Sequence, residues 1–131
     1  MLEDYVVIDL EMTGLNAKTD AILEVGAVRV RDGRQTETYG AILKCGRELS
    51  ERVVELTGIT PEMAADGREP EEVMQEFFTF LGDDVLVGQN VIFDYSFLKQ
   101  WAVNQKIPLE LSACDTLRIA RALLPGAQSK K

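Results

Sequence analysis

The sequence predicts one α/β domain: a mixed, five-stranded sheet flanked by helices. Three observations lead there. A chain of 131 residues can bury one real core but not comfortably two. Two alternating segments, residues 22–30 and 35–44, flank "RDGR", whose Asp-Gly centre marks a hairpin turn. After that hairpin, helical and strand patterns take turns, which is how parallel strands enter a mixed sheet.

Each element has a local reason. Residues 4–10 hold the run Val6-Val7-Ile8 and read as a strand buried on both faces near its centre. "SERVVELTGI" reads as a short helix capped by Ser50 and stopped at Gly58. "TPEMAADGREP" is a loop with room for one helical turn. "PEEVMQEFFTFLG" is a helix opened by Pro70, acidic in its first turn and stopped by Gly82. Residues 84–88 form a short buried strand. Residues 91–105 form a helix with Asn90 as its cap, and Phe93, Phe97 and Trp101 fall on its buried stripe. "LSACD" is the candidate fifth strand, and "DTLRIARALLPG" reads as a helix from Asp115 to Pro125-Gly126. Residues 126–131 are a polar tail.

Composition narrows the function. The net charge is −8 and the chain has no histidine. An acidic protein binds nucleic acid poorly except at a local site where divalent cations offset its carboxylates. Lacking histidine, it has neither the commonest general base nor imidazole metal ligands. Its apolar runs are too short to span a bilayer, and no signal peptide is evident. Cys45 and Cys114 are then expected as two reduced thiols in a cytoplasmic protein with no membrane partner.

The chemistry-bearing pattern is "VVIDLEMTGL". Asp9 and Glu11 stand two residues apart at the carboxyl end of a strand. Such residues share a face, with Cα atoms about 7 Å apart, so both carboxylates can converge on one hard cation. Oxygen ligands without His or Cys select Mg²⁺ or Mn²⁺ over zinc. A third acid, Asp94, sits among Phe93, Phe97 and Leu98 at a core boundary. Taken singly, the pair also fits a solvated strand end, and Asp94 also fits a helix cap or a solvent-facing position.

"VVIDLEMTGL" and "VGQNVIFDYSFL" resemble the first two signature segments of the DEDD 3′–5′ exonucleases. "ILEVGAVRV", "ELTGIT" and "DTLRIARALLP" resemble, in order, the linking segments of the DEDDh branch that holds RNase T and the proofreading epsilon subunit of DNA polymerase III. The resemblance implies a ribonuclease H-like fold. It implies that Asp9, Glu11 and Asp94 are metal ligands and catalytic residues in a two-metal site for Mg²⁺ or Mn²⁺. Met12, Thr13, Gly14, Leu15, Asn90 and Phe93 would contact the terminal nucleotide, with backbone amides offered at Thr13 and Gly14. Core packing also explains Met12 and Leu15, and simple capping also explains Asn90.

Two departures from the family pattern shape the expectation. Gln89 stands where the family usually has His. A third segment, carrying a general-base His and a fourth acid on a last helix, is not found within the 131 residues. The expected organisation is therefore an exonuclease domain over residues 1–125 lacking its C-terminal helix, followed by the 126–131 tail. The expected function is 3′–5′ trimming of single-stranded DNA ends, weak or absent in this chain alone, with a DNA polymerase as possible partner. An uncovered apolar strip would favour a homodimer. The alternatives are an exoribonuclease trimming short RNA, since "DLEMTGL" also resembles the oligoribonuclease branch, and a non-catalytic module binding nucleic acid or a partner.

Overall fold

Alternating burial in the first strand organises the sheet. In a computed structural model that describes residues 3–106 and the strand at 119–121, Val6, Ile8 and Leu10 are buried while Val7 and Asp9 are exposed. The strand therefore buries one face, not the two expected. It runs Tyr5–Met12 as β1, two residues beyond the expected end, so Glu11 lies within it.

β2 (Ile22–Arg31) and β3 (Arg34–Ile42) form the expected hairpin. Its turn needs positive φ at Asp32 and Gly33, which the Asp-Gly pair supplies. β1 pairs antiparallel with β2, and parallel with β4 (Leu86–Gly88) through Val6↔Leu86 and Val7↔Val87. The sheet order is β3-β2-β1-β4-β5, so it is mixed and five-stranded.

Helices follow their punctuation. α1 (Glu51–Thr57) begins where Ser50 accepts from the Val53 amide and ends at Gly58, φ 77°. α2 (Pro61–Ala65) is the single turn for which the loop had room. α3 (Pro70–Leu81) carries Pro at its start and stops at Gly82. Its Val73, Met74, Phe77 and Leu81 pack on Val6, Ile8, Leu10 and Val25. α4 (Val91–Gln105) adds Val91, Phe97 and Leu98 to that core. A second cluster gathers Leu23, Leu49, Ile59 and Ala64 beneath α1 and α2.

Two expectations change here. The buried stripe of α4 is Val91, Asp94, Phe97, Leu98 and Ala102, while Phe93 is 45% exposed. At about 100° per residue, a stripe that includes Val91 and Leu98 turns Phe93 outward. Ile119–Arg121 form β5, parallel to β4, where a helix was expected. The three residues satisfy the second hydrogen-bonding edge of β4, which would otherwise stay open. The expectations for "LSACD", for the rest of that helix, for Cys114 and for the tail lie outside the described residues. Cys45 is a free, half-buried thiol. Among the described residues, no helix is long and apolar enough to cross a membrane.

Arginine ion pairs brace the hairpin and its flanking helix. Arg29 contacts Glu37 at 2.6 Å and Asp84 at 3.2 Å, and its guanidinium lies 4.1 Å from the Phe80 ring centroid. Arg31 meets Asp84 at 2.9 Å. Arg68 bridges Glu72 and Glu76, and the Tyr39 hydroxyl donates to Glu76 at 2.8 Å. Burial, then the bond to Glu76, raises the Tyr39 pKa from 10.0 to about 12.

A folded-state value above the unfolded one favours the protonated phenol. Its stabilising contribution is therefore complete below pH 10 and lost as pH rises toward about 12. Absorbance titration at 295 nm should show one tyrosine ionising late, and Tyr39→Phe should remove that late step. Ionisation of all three tyrosines near pH 10 in the folded protein would contradict it.

Candidate active site

Two features of β1 aim its acids. Asp9 and Glu11 lie on the same face, opposite Gly26 and Glu24 of β2. Asp9 is exposed and Glu11 half-buried. The register then shifts between Glu11 and Met12, because Met12 pairs with Ile22 and leaves Leu23 as an extra residue. Such a bulge bends the strand and re-aims the residues beyond it. Here it sends Leu23 into the second core and starts the Thr13–Leu15 turn immediately after Glu11.

The third acid reaches the same strand from the far side of the sequence. Asp94 is buried, 6% exposed, on the first turn of α4. Its Oδ2 accepts from the backbone amide of Leu10 at 3.3 Å. That amide lies between Asp9 and Glu11 and beyond Val7, where pairing with β4 stops. Gly88 permits the arrangement, because a Cβ there would come within 2.8 Å of the Ile8 carbonyl oxygen. The chain can thus leave β4 close beside β1 and turn directly into α4.

The three acids offer only hard oxygen donors, which suits Mg²⁺ or Mn²⁺. Among the described residues, no three Asp, Glu or Cys side chains are placed together so as to hold a metal ion, Asp9, Glu11 and Asp94 included. Carboxylates close enough for that would repel one another without the ion. What the fold does fix is the backbone of β1 and the anchored carboxylate of Asp94.

The remaining expected residues divide. Met12 is half-buried and packs against the main core. Leu15 is 69% exposed, so core packing does not account for it. The Thr13 amide donates to the Ala21 carbonyl at 2.9 Å, and so is not offered to a ligand as expected. Asn90 has φ 57° and makes no side-chain cap bond. Its left-handed backbone, which Asn tolerates well, turns the side chain away from the helix amides. The expected cap is therefore positional only. Asn90 and Phe93 are both exposed beside Asp94.

Asp20 was not anticipated, and it shapes the turn. Its Oδ1 accepts from the Thr13 hydroxyl at 3.0 Å and its Oδ2 from the Asn16 amide at 3.0 Å. The Thr13 oxygen in turn accepts from the Ala21 amide at 2.9 Å. Gly14 lies flat against this clasp, since a Cβ there would fall 2.4 Å from Asp20 Oδ2. The available signal was weak: a polar loop, "TGLNAKTD", closing on an Asp just before a strand.

Opening the clasp should loosen the turn while the core persists. Asp20→Ala and Gly14→Ala should each cost about 1–3 kcal/mol, the range for losing hydrogen bonds to a charged group. Asp20→Asn should cost less, because it keeps an acceptor. Urea melts would measure this, and equal stability of all three variants and the parent would count against the clasp.

Comparison with known proteins fits this geometry. The RNase_T family model, described as an exonuclease, matches residues 6–131. DNA polymerase III PolC-type of Thermotoga petrophila is 42% identical over 121 residues, covering 92% of this chain and 9% of that protein. The PolC-type enzyme of Bacillus subtilis is 40% identical over 128 residues, covering 94% and 9%. The chain thus spans about a tenth of the length of these relatives. Among solved structures, apo Exonuclease I superposes with a TM-score of 0.75 at 18% identity, over 92% of this chain and 29% of that one. Exonuclease I of E. coli in complex with a dT13 oligonucleotide gives 0.74 at 19% identity, over 92% and 28%. At such identity the likeness is one of fold. The family match runs from β1 through the last residue, and the chain belongs to the RNase_T exonuclease family of the DEDD 3′–5′ exonuclease superfamily.

Proposed function

We propose that this chain is a metal-dependent 3′–5′ exonuclease domain of the proofreading kind, acting on single-stranded DNA ends beside a DNA polymerase. The observation that carries the reading is the bond from the Leu10 amide to Asp94. It ties a buried acid from α4 to the backbone between two acids of β1. A purely structural Asp at a helix start would more simply bond the amides of its own helix. The PolC-type relatives support the polymerase context.

Asp9, Glu11 and Asp94 would hold Mg²⁺ or Mn²⁺. When bound, such ions lower the pKa of a water and offset charge on a phosphodiester and its leaving oxygen. The protein's own contribution is positional. The Asp94 bond holds one carboxylate against β1, and the bulge after Glu11 brings the Thr13–Leu15 turn beside the acids. Leu15, Asn90 and Phe93 would contact the terminal sugar and base. A base to deprotonate water cannot be a histidine of this chain, which has none. The hydrolytic rate of the chain alone should accordingly be low.

Calorimetric titration with Mn²⁺ tests the site independently of the rate. Asp9→Ala should weaken binding about tenfold or more, a loss of at least ~1.4 kcal/mol. A 5′-labelled single strand incubated with Mn²⁺ tests the reaction. Shortening should proceed stepwise from the 3′ end and fall about 10²-fold or more in Asp9→Ala. Unchanged Mn²⁺ affinity in Asp9→Ala, or shortening indifferent to that substitution, would overturn the assignment. Faster trimming of RNA than of DNA would move the substrate to RNA.

A further inference from the structure

The sheet joins its first three strands in two unlike ways. Antiparallel neighbours can be linked by two residues, as β2 and β3 are by Asp32 and Gly33. β1 and β2 are linked instead by residues 13–21. This longer loop leaves the sheet directly after Glu11 and Met12. It closes at its neck, where the Thr13 amide donates to the Ala21 carbonyl.

Tertiary packing does little to fix the loop. Ala17 rests on the main core. An open groove of about 890 Å³ lies between the loop and Ser96, Lys99 and Val103 of α4. Leu15, the loop's one large apolar side chain, is 69% exposed. An exposed leucine adds little to stability, because it stays in water.

Hydrogen bonds hold the loop instead. Asp20 accepts from the Thr13 hydroxyl through one oxygen and from the Asn16 amide through the other. Those donors stand on either side of Gly14 and Leu15, so one carboxylate grips both ends of that dipeptide. The Asn16 carbonyl accepts from the amides of Thr19 and Asp20, and its side chain accepts from the Lys18 amide. Arg47, from outside the loop, donates to the Thr19 carbonyl. The most tightly bonded part of the loop is thus the part that carries an exposed leucine.

We propose that Asp20 is a positioning residue of the exonuclease site, which holds Leu15 in place for the terminal nucleotide and touches neither that nucleotide nor the metal. The role rests on the function proposed above, which gives Leu15 its contact. With no core around it, the Leu15 side chain takes its position from the backbone of the loop. A loop already ordered meets the strand end without losing freedom on binding.

A double-mutant cycle between Asp20 and Leu15 tests this role. Binding of 5′-fluorescein dT6 is read by anisotropy in Ca²⁺, with a gel to verify that the strand stays intact. Asp20→Ala should weaken binding about two- to tenfold, the range for one side chain that must be ordered on binding. Asp20→Asn should weaken it less, because it keeps an acceptor. In a Leu15→Ala background, Asp20→Ala should change affinity less than about twofold, because its effect passes through Leu15. The stability lost in Asp20→Ala should be the same in both backgrounds, since Leu15 is exposed. Mn²⁺ affinity should match the parent's.

Unchanged dT6 affinity in Asp20→Ala, or equal weakening with and without Leu15, would overturn the positioning role. Loss of Mn²⁺ binding in Asp20→Ala would overturn it too and make Asp20 a metal ligand. If Asp20→Ala does not fold, Asp20→Asn carries the same comparison. Those outcomes leave the exonuclease reading standing. A parent that does not bind dT6 would overturn that reading and, with it, the role of Asp20.

Discussion

One hydrogen bond sets the geometry of the acidic end of this molecule: the Leu10 amide to the buried carboxylate of Asp94. It exists because the sheet stops short. β4 is three residues long and pairs with β1 only through Val7. Farther along β1, that edge presents amides with no β4 residue opposite. α4 begins at Val91, close enough for Asp94 to take the Leu10 amide. A longer β4 would satisfy the amide with a carbonyl and push the helix away. The brevity of one strand thus positions an acid eighty-four residues from its partner. It does so beyond the carboxyl end of a strand, where α/β sheets generally bind ligands.

The face of β1 that carries Asp9 and Glu11 is set by the same pleat. Leu10 must point into the core with Val6 and Ile8, so its two neighbours must point the other way. In the rows that cross the sheet, Asp9 lies beside Gly26 and then Gly40, and Glu11 beside Glu24. The two glycines leave the floor next to Asp9 without side chains. Like charges facing across a strand pair cost stability, and Glu11 with Glu24 accepts that cost next to the bulge. A fold selected for stability alone would have little reason to collect acids at this end.

Much of this was readable in the chain because it is local. Ser50, Gly58 and Gly82 mark helix ends through bonds to their own neighbours, Pro70 through its fixed φ and missing N–H, and the Asp-Gly turn fixes the hairpin register. Asp9, Glu11 and Asp94 were singled out by spacing and by resemblance, and the fold ties Asp94 to the strand of the other two. What was missed depends on rotation or on distant partners. Three aromatics at i, i+4 and i+8 looked like the buried stripe of α4. The helix is instead rotated so that Val91, Asp94 and Leu98 face inward, which leaves Phe93 outside. The Thr13 amide could be assigned to a ligand only while its bond to Ala21 was unknown. Asp20 gave almost no signal, because its value lies in closing a loop on a glycine whose missing Cβ is the real constraint.

Scaffold and candidate site treat carboxylates differently. In the scaffold, Asp84 and Glu37 face Arg29 and Arg31, and Glu72 and Glu76 face Arg68, all within 2.6–3.2 Å. A guanidinium both orients a carboxylate and cancels its charge. At the candidate site, Asp94 accepts from a backbone amide, and Asp20 from an amide and a hydroxyl. These donors fix geometry. Asp20 uses its two oxygens to shape a turn. Asp94 holds its carboxylate on the strand that carries Asp9 and Glu11. Arginine pairs thus brace the scaffold carboxylates, while a strand amide and a turn fix where Asp94 and Asp20 sit, so the position of each depends on backbone geometry.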